Sequence, residues 1–282
     1  MAAFSAVLFM GAAHAEDEGK AISPKDEPVN LMADPSFSDF VWHFNEERSL
    51  TTERDEVWSI EENGQLKVSG KAYGYIRTKQ KYRDYHLVLE YTWGEKTWAG
   101  REDRARDCGI LVHAYGEDGN FGDTWITSIE AQLIEGGSGD FLVLSPRGDT
   151  EGENASLTVE VGEDRDGNTV WKPGGEKKTF EKGRINWQHR DPDWKDVKDF
   201  RGEKEVENLP GEWNRMEVIC RDGSIRILLN GEIVNEGTDA KPTEGYVCLQ
   251  SEGAEMWVRR YELWPLDSFK EKWTEEDVKD AE

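Results

Sequence analysis

Residues 124–141, TWITSIEAQLIEGGSGDF, contain a run that sorts its side chains into two kinds. Alternation puts Ile129, Ala131 and Leu133 on one face and Ser128, Glu130 and Gln132 on the other, the period of a strand with one side in a core. The apolar face demands a second layer, and the polar face is left for another use. Glu130 and Gln132 stand about 7 Å apart along such a strand, which suits gripping successive hydroxyls or sharing a cation. A solvated outer face is the plainer alternative.

The same pattern continues outward in both directions. VWSIEENGQLKVSG places two short apolar-alternating runs around Asn63-Gly64, and EWNRMEVICRDGSIRILLNGEIVNEG places β-branched runs around Asp222-Gly223 and Asn230-Gly231. Such pairs supply the positive φ values of hairpin turns. YGYIRTKQKYRDYHLVLEYTW, RARDCGILVHAYG, DFLVLSP and EGYVCLQSEGAEMWVRRYELWPL add further strands. Residues 145–210 read as one long irregular, charged insertion, a length that is usually functional or disordered inside a compact domain. Trp187 and Trp194 within it argue against plain disorder. Many short strands with almost no helical period predict an all-β fold, an antiparallel two-sheet β-sandwich of jelly-roll type. The expected organisation is a signal peptide at 1–15, an N-terminal arm or linker at 16–33, the sandwich at 34–266, and a charged tail at 267–282 carrying a short helix.

The opening MAAFSAVLFMGAAHAEDEGK joins a short apolar run to an Ala-His-Ala end, as in a secretory signal peptide, although the basic n-region is missing. That run is too short to span a bilayer, so the expectation is an exported, periplasmic or secreted chain with no membrane insertion. With 59 acidic against 35 basic residues the net charge is -24, and this field opposes nucleic acid and anionic membrane surfaces. A neutral or cationic partner fits better. The 12 Trp suit stacking on sugar rings but also fill β cores. Cys108, Cys220 and Cys248 have no metal-ligand spacing; Cys220 and Cys248 could bridge neighbouring strands or remain buried thiols.

Taken together, KAYGYIRTKQKYRDYHLVLEYTW, DCGILVHAYG, SIEAQLIEGGSGDF, GEWNRMEVICRDGSIRILLNGEIVNEG and GYVCLQSEGAEMWVRRYELWPL resemble the DUF1080 family, also called the 3-keto-disaccharide hydrolase domain, from about Phe40 to Leu266. The resemblance implies a concanavalin A-like jelly roll with a concave sugar-binding face, and cleavage of glycosides oxidised to a ketone at C3. Where much of the family reads Gln-Asp-His-Gly, this chain has Gln250-Ser251-Glu252-Gly253, so a carboxyl replaces that histidine.

The implied reaction requires a base for the C2 proton, a cation or donor set for the enolate, and an acid for the leaving group. His113, which alternation groups with Leu111 and Tyr115, is the first candidate base or metal ligand, against a structural histidine as the alternative. Glu130 is the second catalytic candidate. Gln132, Trp125, Gln250 and Glu252 are candidates to line the groove, and Arg77, Arg190 or Lys79 to hold an enolate oxygen. Trp187, His189 and Arg190 would sit on a lid formed by the irregular segment, with His189 a second possible base. A divalent metal, calcium or a transition metal, is compatible with His113 and Glu130 or Glu252, or with the acidic run GEDGNFGD at 116–123. The order Glu130 to Glu135 is also similar to the active-site strand of retaining glucanases, where two carboxylates stand about 5 Å apart, but Gln132 replaces the central acid there. A non-catalytic carbohydrate-binding module is a further alternative. The reading as a whole requires residues 113, 130 and 132 to converge in one hollow.

Overall fold

A computed structural model describes residues 19–98, 100–146 and 154–269. In chain order the elements are β1 (Val29–Asn30), β2 (Phe40–Phe44), α1 (Arg54–Val57), β3 (Trp58–Ile60), β4 (Leu66–Val68), β5 (Tyr73–Thr78), β6 (Tyr85–Thr97), β7 (Asp107–Tyr115), β8 (Thr127–Ile134) and β9 (Phe141–Leu144). They continue as β10 (Ser156–Glu163), β11 (Thr169–Trp171), β12 (Glu176–Phe180), β13 (Gly183–Ile185), β14 (Asn214–Arg221), β15 (Ser224–Leu229), β16 (Glu232–Lys241), β17 (Tyr246–Glu252) and β18 (Ala254–Trp264). Among the described residues one sheet runs β11-β10-β16-β15-β14-β6-β18-β4-β3, with β1 along β18 and β12 along β10. The other runs β13-β9-β8-β7-β17-β5-β2. The two face each other as a jelly-roll sandwich, and the named strands pair antiparallel throughout.

The expected alternation builds the core. Ile129, Ala131 and Leu133 of β8 meet Leu87, Leu89 and Tyr91 of β6 in one buried cluster, each full burial contributing roughly 1.5–3 kcal/mol. The hairpin turns fall where Asx-Gly pairs predict them. Asp222 and Gly223 take φ of 45° and 78°, and Asn230 and Gly231 take 51° and 86°. These left-handed values favour glycine or a short polar residue.

Two expectations are corrected. The stretch 145–210 is not wholly irregular, because β10 to β13 lie inside it. These strands extend the sheet edges, and β12 (EKKTF) is almost wholly exposed, so no apolar face marks it in the sequence. Residues 186–213 do lack helix and strand, yet they pack firmly: the Trp187 ring is in the core and the Trp194 indole donates to the Glu135 carbonyl at 2.8 Å. The arm at 16–33 belongs to the sandwich from residue 19 on. Ile22 bridges to Tyr82, β1 pairs with β18, and Leu31 and Met32 are buried.

The proposed leader at 1–15 and most of the tail with its helix, from residue 270, lie outside the described residues. The three cysteines are free and buried; Cys220 and Cys248 sit in different sheets. No helix among the described residues is long and apolar enough to cross a membrane.

Candidate functional site

Antiparallel register defines what the seven-stranded sheet shows on the side away from the core, since directly paired residues share a face. One row crosses Tyr75, Gln250, Gly109 and Gln132, because Tyr75 pairs with Gln250 and Gly109 with Gln132. The register Cys248 to Leu111 and Leu249 to Ile110 brings Gln250 opposite Gly109. A second row holds Arg77, Cys248, Leu111, Glu130, Leu142 and Arg184. A third, at the strand ends, holds Tyr73 and Glu252, with Asp107 two residues before Gly109. Gly109 is the gap that lets this face act as one site. A Cβ there would lie 2.4 Å from Glu130 Oε1 and 2.5 Å from Gln250 Oε1. The two side chains lean over the glycine from flanking strands, and the Gln250 amide donates to the Glu130 carboxyl.

The group is almost wholly dry. Glu130, Gln132, Asp107 and Gln250 are each under 5% exposed. Burial, reinforced by the Glu252 charge, pushes the Glu130 carboxyl up to about 8, and burial with Glu252 raises Asp107 well above the usual carboxylate range. Glu252 is itself raised by burial. Arg101 is the cation between them: its guanidinium bonds Asp107 and lies 3.5 Å from Glu252. Arg184 reaches the same face from β13 and binds Asp140 at 2.8 Å. Arg48 stacks 3.9 Å above the Tyr73 ring at the exposed margin. Asp107 Oδ1 and Gln250 Oε1 are buried acceptors with no protein donor, an expensive arrangement unless a ligand or solvent hydroxyl supplies one. The set therefore combines a carboxyl that exchanges a proton near neutral pH, fixed cations, and unpaired acceptors.

The other half of the face is covered by a loop. Residues 116–126 fold over it, held by Asp118, which accepts from Arg77 Nε and Nη2 at 2.8 and 3.0 Å and from the Tyr75 hydroxyl at 2.8 Å. Beneath them Leu111, Ala114, Ile126, Leu144, Tyr246 and Cys248 form a second apolar cluster with Trp125 packed against it. Arg77 and Trp125, expected to touch ligand, instead fasten and pack this loop. Asp118, within the acidic run considered for calcium, is committed to Arg77 and Tyr75.

His113 does not join Glu130 and Gln132. The β7 register slips between Val112 and Tyr115, and His113 takes φ of 54°. This bulge turns the chain over, so that His113 points between the sheets with its ring 6.4 Å from Tyr85, edge to face. It is 1% exposed, and burial lowers it to about 4. Tyr115 also packs on the main core. Strict alternation assigned both residues to the wrong face because an inserted bulge residue leaves no mark on the hydrophobic pattern.

Glu135 likewise stands apart from Glu130. Its carboxylate is bound by the Arg106 side chain and by the Arg106 backbone N–H at 2.8 Å, so the strand does not present the carboxylate pair of a retaining glucanase. Trp187 is core, and His189 is exposed beside an outer groove of about 510 Å³ shared with Arg165 and Lys172. Arg190 turns inward to Asp140 and stacks 4.2 Å from the Trp194 ring. None of the three covers the carboxylates as a lid. Of the residues singled out from sequence, Glu130, Gln132, Gln250 and Glu252 come together. Asp107, Gly109, Arg101, Arg184 and Asp140 were missed: Asp107, Arg101 and Asp140 are isolated charges in loops or at a strand end, Arg184 sits in a three-residue strand too short to show a period, and Gly109 has no side chain to mark a face; Asp107, at the start of the DCGILVHAYG run, was the most visible. Among the described residues no group of three or more His, Cys, Asp or Glu side chains is placed to hold a metal ion.

These features describe a jelly roll whose seven-stranded sheet carries, on the side away from the core, a buried carboxyl, amide and guanidinium site. Residues 23–263 match the model of the 3-keto-alpha-glucoside-1,2-lyase-like domain, and the chain belongs to that family. Among solved structures it is similar to a Parabacteroides distasonis ATCC 8503 protein named provisionally as a glycosyl hydrolase, at 17% identity over 86% of this chain and 100% of that one, TM-score 0.47. A second such protein from the same organism gives 19% identity, 82% and 90% coverage, and TM-score 0.44. The carbohydrate-binding module CBM66 from Bacillus subtilis gives 9% identity, 79% and 93% coverage, and TM-score 0.44. Comparison with curated proteins gave no match.

Proposed function

We propose that this protein is exported and cleaves glycosides carrying a C3 ketone, at the Glu130 site on the side of the seven-stranded sheet away from the core. Family membership supports the substrate class, and the observation that carries the chemistry is the Glu130 carboxyl, buried beside Gln250 and raised to about 8 by burial and Glu252. A group poised there exchanges protons efficiently near neutral pH. In the proposed sequence the ionised form of Glu130, a minority at neutral pH that grows as pH approaches 8, takes the C2 proton made acidic by the ketone, and charge moves onto the C3 oxygen. Arg184 and Arg101 stabilise that enolate. The ketone then re-forms as the C1–O bond breaks and a C1=C2 double bond is made, the departing oxygen receiving a proton from a carboxylic acid of the site. Water added across the double bond completes a net hydrolysis. Gln250 Oε1 and Asp107 Oδ1 accept from sugar hydroxyls.

Incubation with paired ordinary and 3-keto glycosides tests this. Release only from the keto member, abolished by Glu130→Gln, is expected. Release from both would favour plain glycoside hydrolysis, and binding without release would make this a carbohydrate-binding module.

A further inference from the structure

The GGSGD turn at 136–140 ends in a carboxylate with an unusual set of partners. Asp140 is 0% exposed. Its Oδ2 takes Arg184 Nη1 at 2.8 Å and also Arg190 Nη1, and its Oδ1 takes the Trp187 backbone N–H at 2.8 Å. Gly137 makes the fit possible, because a Cβ there would lie 2.2 Å from Arg190 Nη1. On the far side of Arg184 lies Glu130: both pair with Leu142 across β9, so they share a row two strands apart, about 10 Å between backbones. The Arg184 guanidinium acts on Glu130 across that gap while its Nη1 is anchored on Asp140.

We propose that Asp140 is a positioning residue for this site, fixing the Arg184 guanidinium on the same sheet face as Glu130 and locking it to the turn at 187–190 through Arg190. The inference deepens the proposed function, resting on Glu130 as the proton-transfer group. Its physical content is that the cation serving Glu130 is set by geometry as well as by charge. The charged groups that bear on Glu130 are Glu252 from β17, Arg184 from β13 and Asp140 from the turn, with Asp107 from β7 in mutual interaction. Arg190 acts on Asp140 and Arg184.

The test reads the titration of Glu130 by carboxyl carbon NMR, with Glu130→Gln assigning the signal, and needs no substrate. Failure here is therefore separable from failure of the catalytic reading, which the keto-glycoside assay decides. Arg184→Gln is expected to move the Glu130 midpoint to higher pH in the native background, and to move it much less in an Asp140→Asn background, where Arg184 is no longer held. An undiminished Arg184 effect in that background would overturn the proposal. Arg184→Lys keeps the charge but loses the Nη1–H that bonds Asp140 Oδ2, and should move the Glu130 midpoint upward as Arg184→Gln does. A lysine variant titrating as the native protein does would overturn the proposal equally, and this measurement stands even if Asp140→Asn does not fold.

Discussion

Replacing Glu130 by Gln should stabilise the protein, and by an amount set by pH. Burial and Glu252 hold this carboxyl at about 8, against 4.5 for an ordinary glutamate. A group whose folded value is raised contributes its full stability below the unfolded value and loses it as pH rises through the window between the two. At neutral pH the unfolded chain has released the proton that the folded one retains, and this difference costs the native state about 3 kcal/mol at pH 7 but less than about 0.5 kcal/mol near pH 4.5. A glutamine fills the same space, keeps an amide partner for Gln250, and cannot ionise. Urea unfolding of both proteins at the two pH values, read by tryptophan fluorescence, should show the variant more stable at pH 7 and equal near pH 4.5. Equal stabilities at both would mean that Glu130 is hydrated and titrates normally, and the case for its role in proton transfer would collapse.

Gly109→Ala should leave the fold intact at a cost under about 2 kcal/mol, because the crowded atoms are side-chain ends. It should nevertheless separate Glu130 from Gln250 and abolish sugar turnover or binding, as calorimetry and product analysis would register. Asp118→Asn should loosen residues 116–126, costing about 1–3 kcal/mol for a mostly buried pair, and limited proteolysis should then cut within that loop. His113, lowered to about 4 by burial from an ordinary 6.5, binds a proton when unfolded before it does when folded. The His113 contribution to stability should therefore be flat above about pH 7.5 and fall by about 2 kcal/mol on going to pH 5, opposite in sign to that of Glu130 over the same range. A His113→Phe variant should lose this one component of the slope in pH-dependent melts, with no change in the Glu130 titration.

Much of the fold was legible because its causes are local. Alternation in Leu87–Tyr91 and Ile129–Leu133 and the Asx-Gly turns at 222–223 and 230–231 each state a face or a reversal within a few residues. Of the strands that escaped, β11 and β13 are short and β12 is an exposed edge without an apolar face, whereas β10 does alternate, with Leu157, Val159 and Val161 in the core, and was hidden only by the charged sequence around it. The site was legible only where its residues ride regular strands, as Glu130, Gln132, Gln250 and Glu252 do. His113 shows the limit: one bulge residue reverses every later side chain, and nothing in the composition of DCGILVHAYG distinguishes the bulged register from the straight one.

Two glycines show how the stretch at 124–141 acquires its purpose. A polar row on a strand is only a wet surface until its neighbours decide whether the side chains can meet, and here the deciding residues have no side chain. Gly109 on the adjacent strand opens the space in which Glu130 and Gln250 touch. Gly137 opens the space through which Arg190 reaches Asp140, and the same aspartate holds Arg184 in the row of Glu130. The chemistry of the acid therefore depends on one absence in the adjacent strand and one in the turn that follows its own strand. Adding a methyl group at 109 should disturb the carboxyl through contact, whereas adding one at 137 should disturb it only through the chain Arg190, Asp140 and Arg184. If Gly137→Ala left the Glu130 titration untouched while displacing Arg190, the hold on Arg184 would come from Asp140 alone, with no contribution from the turn at 187–190.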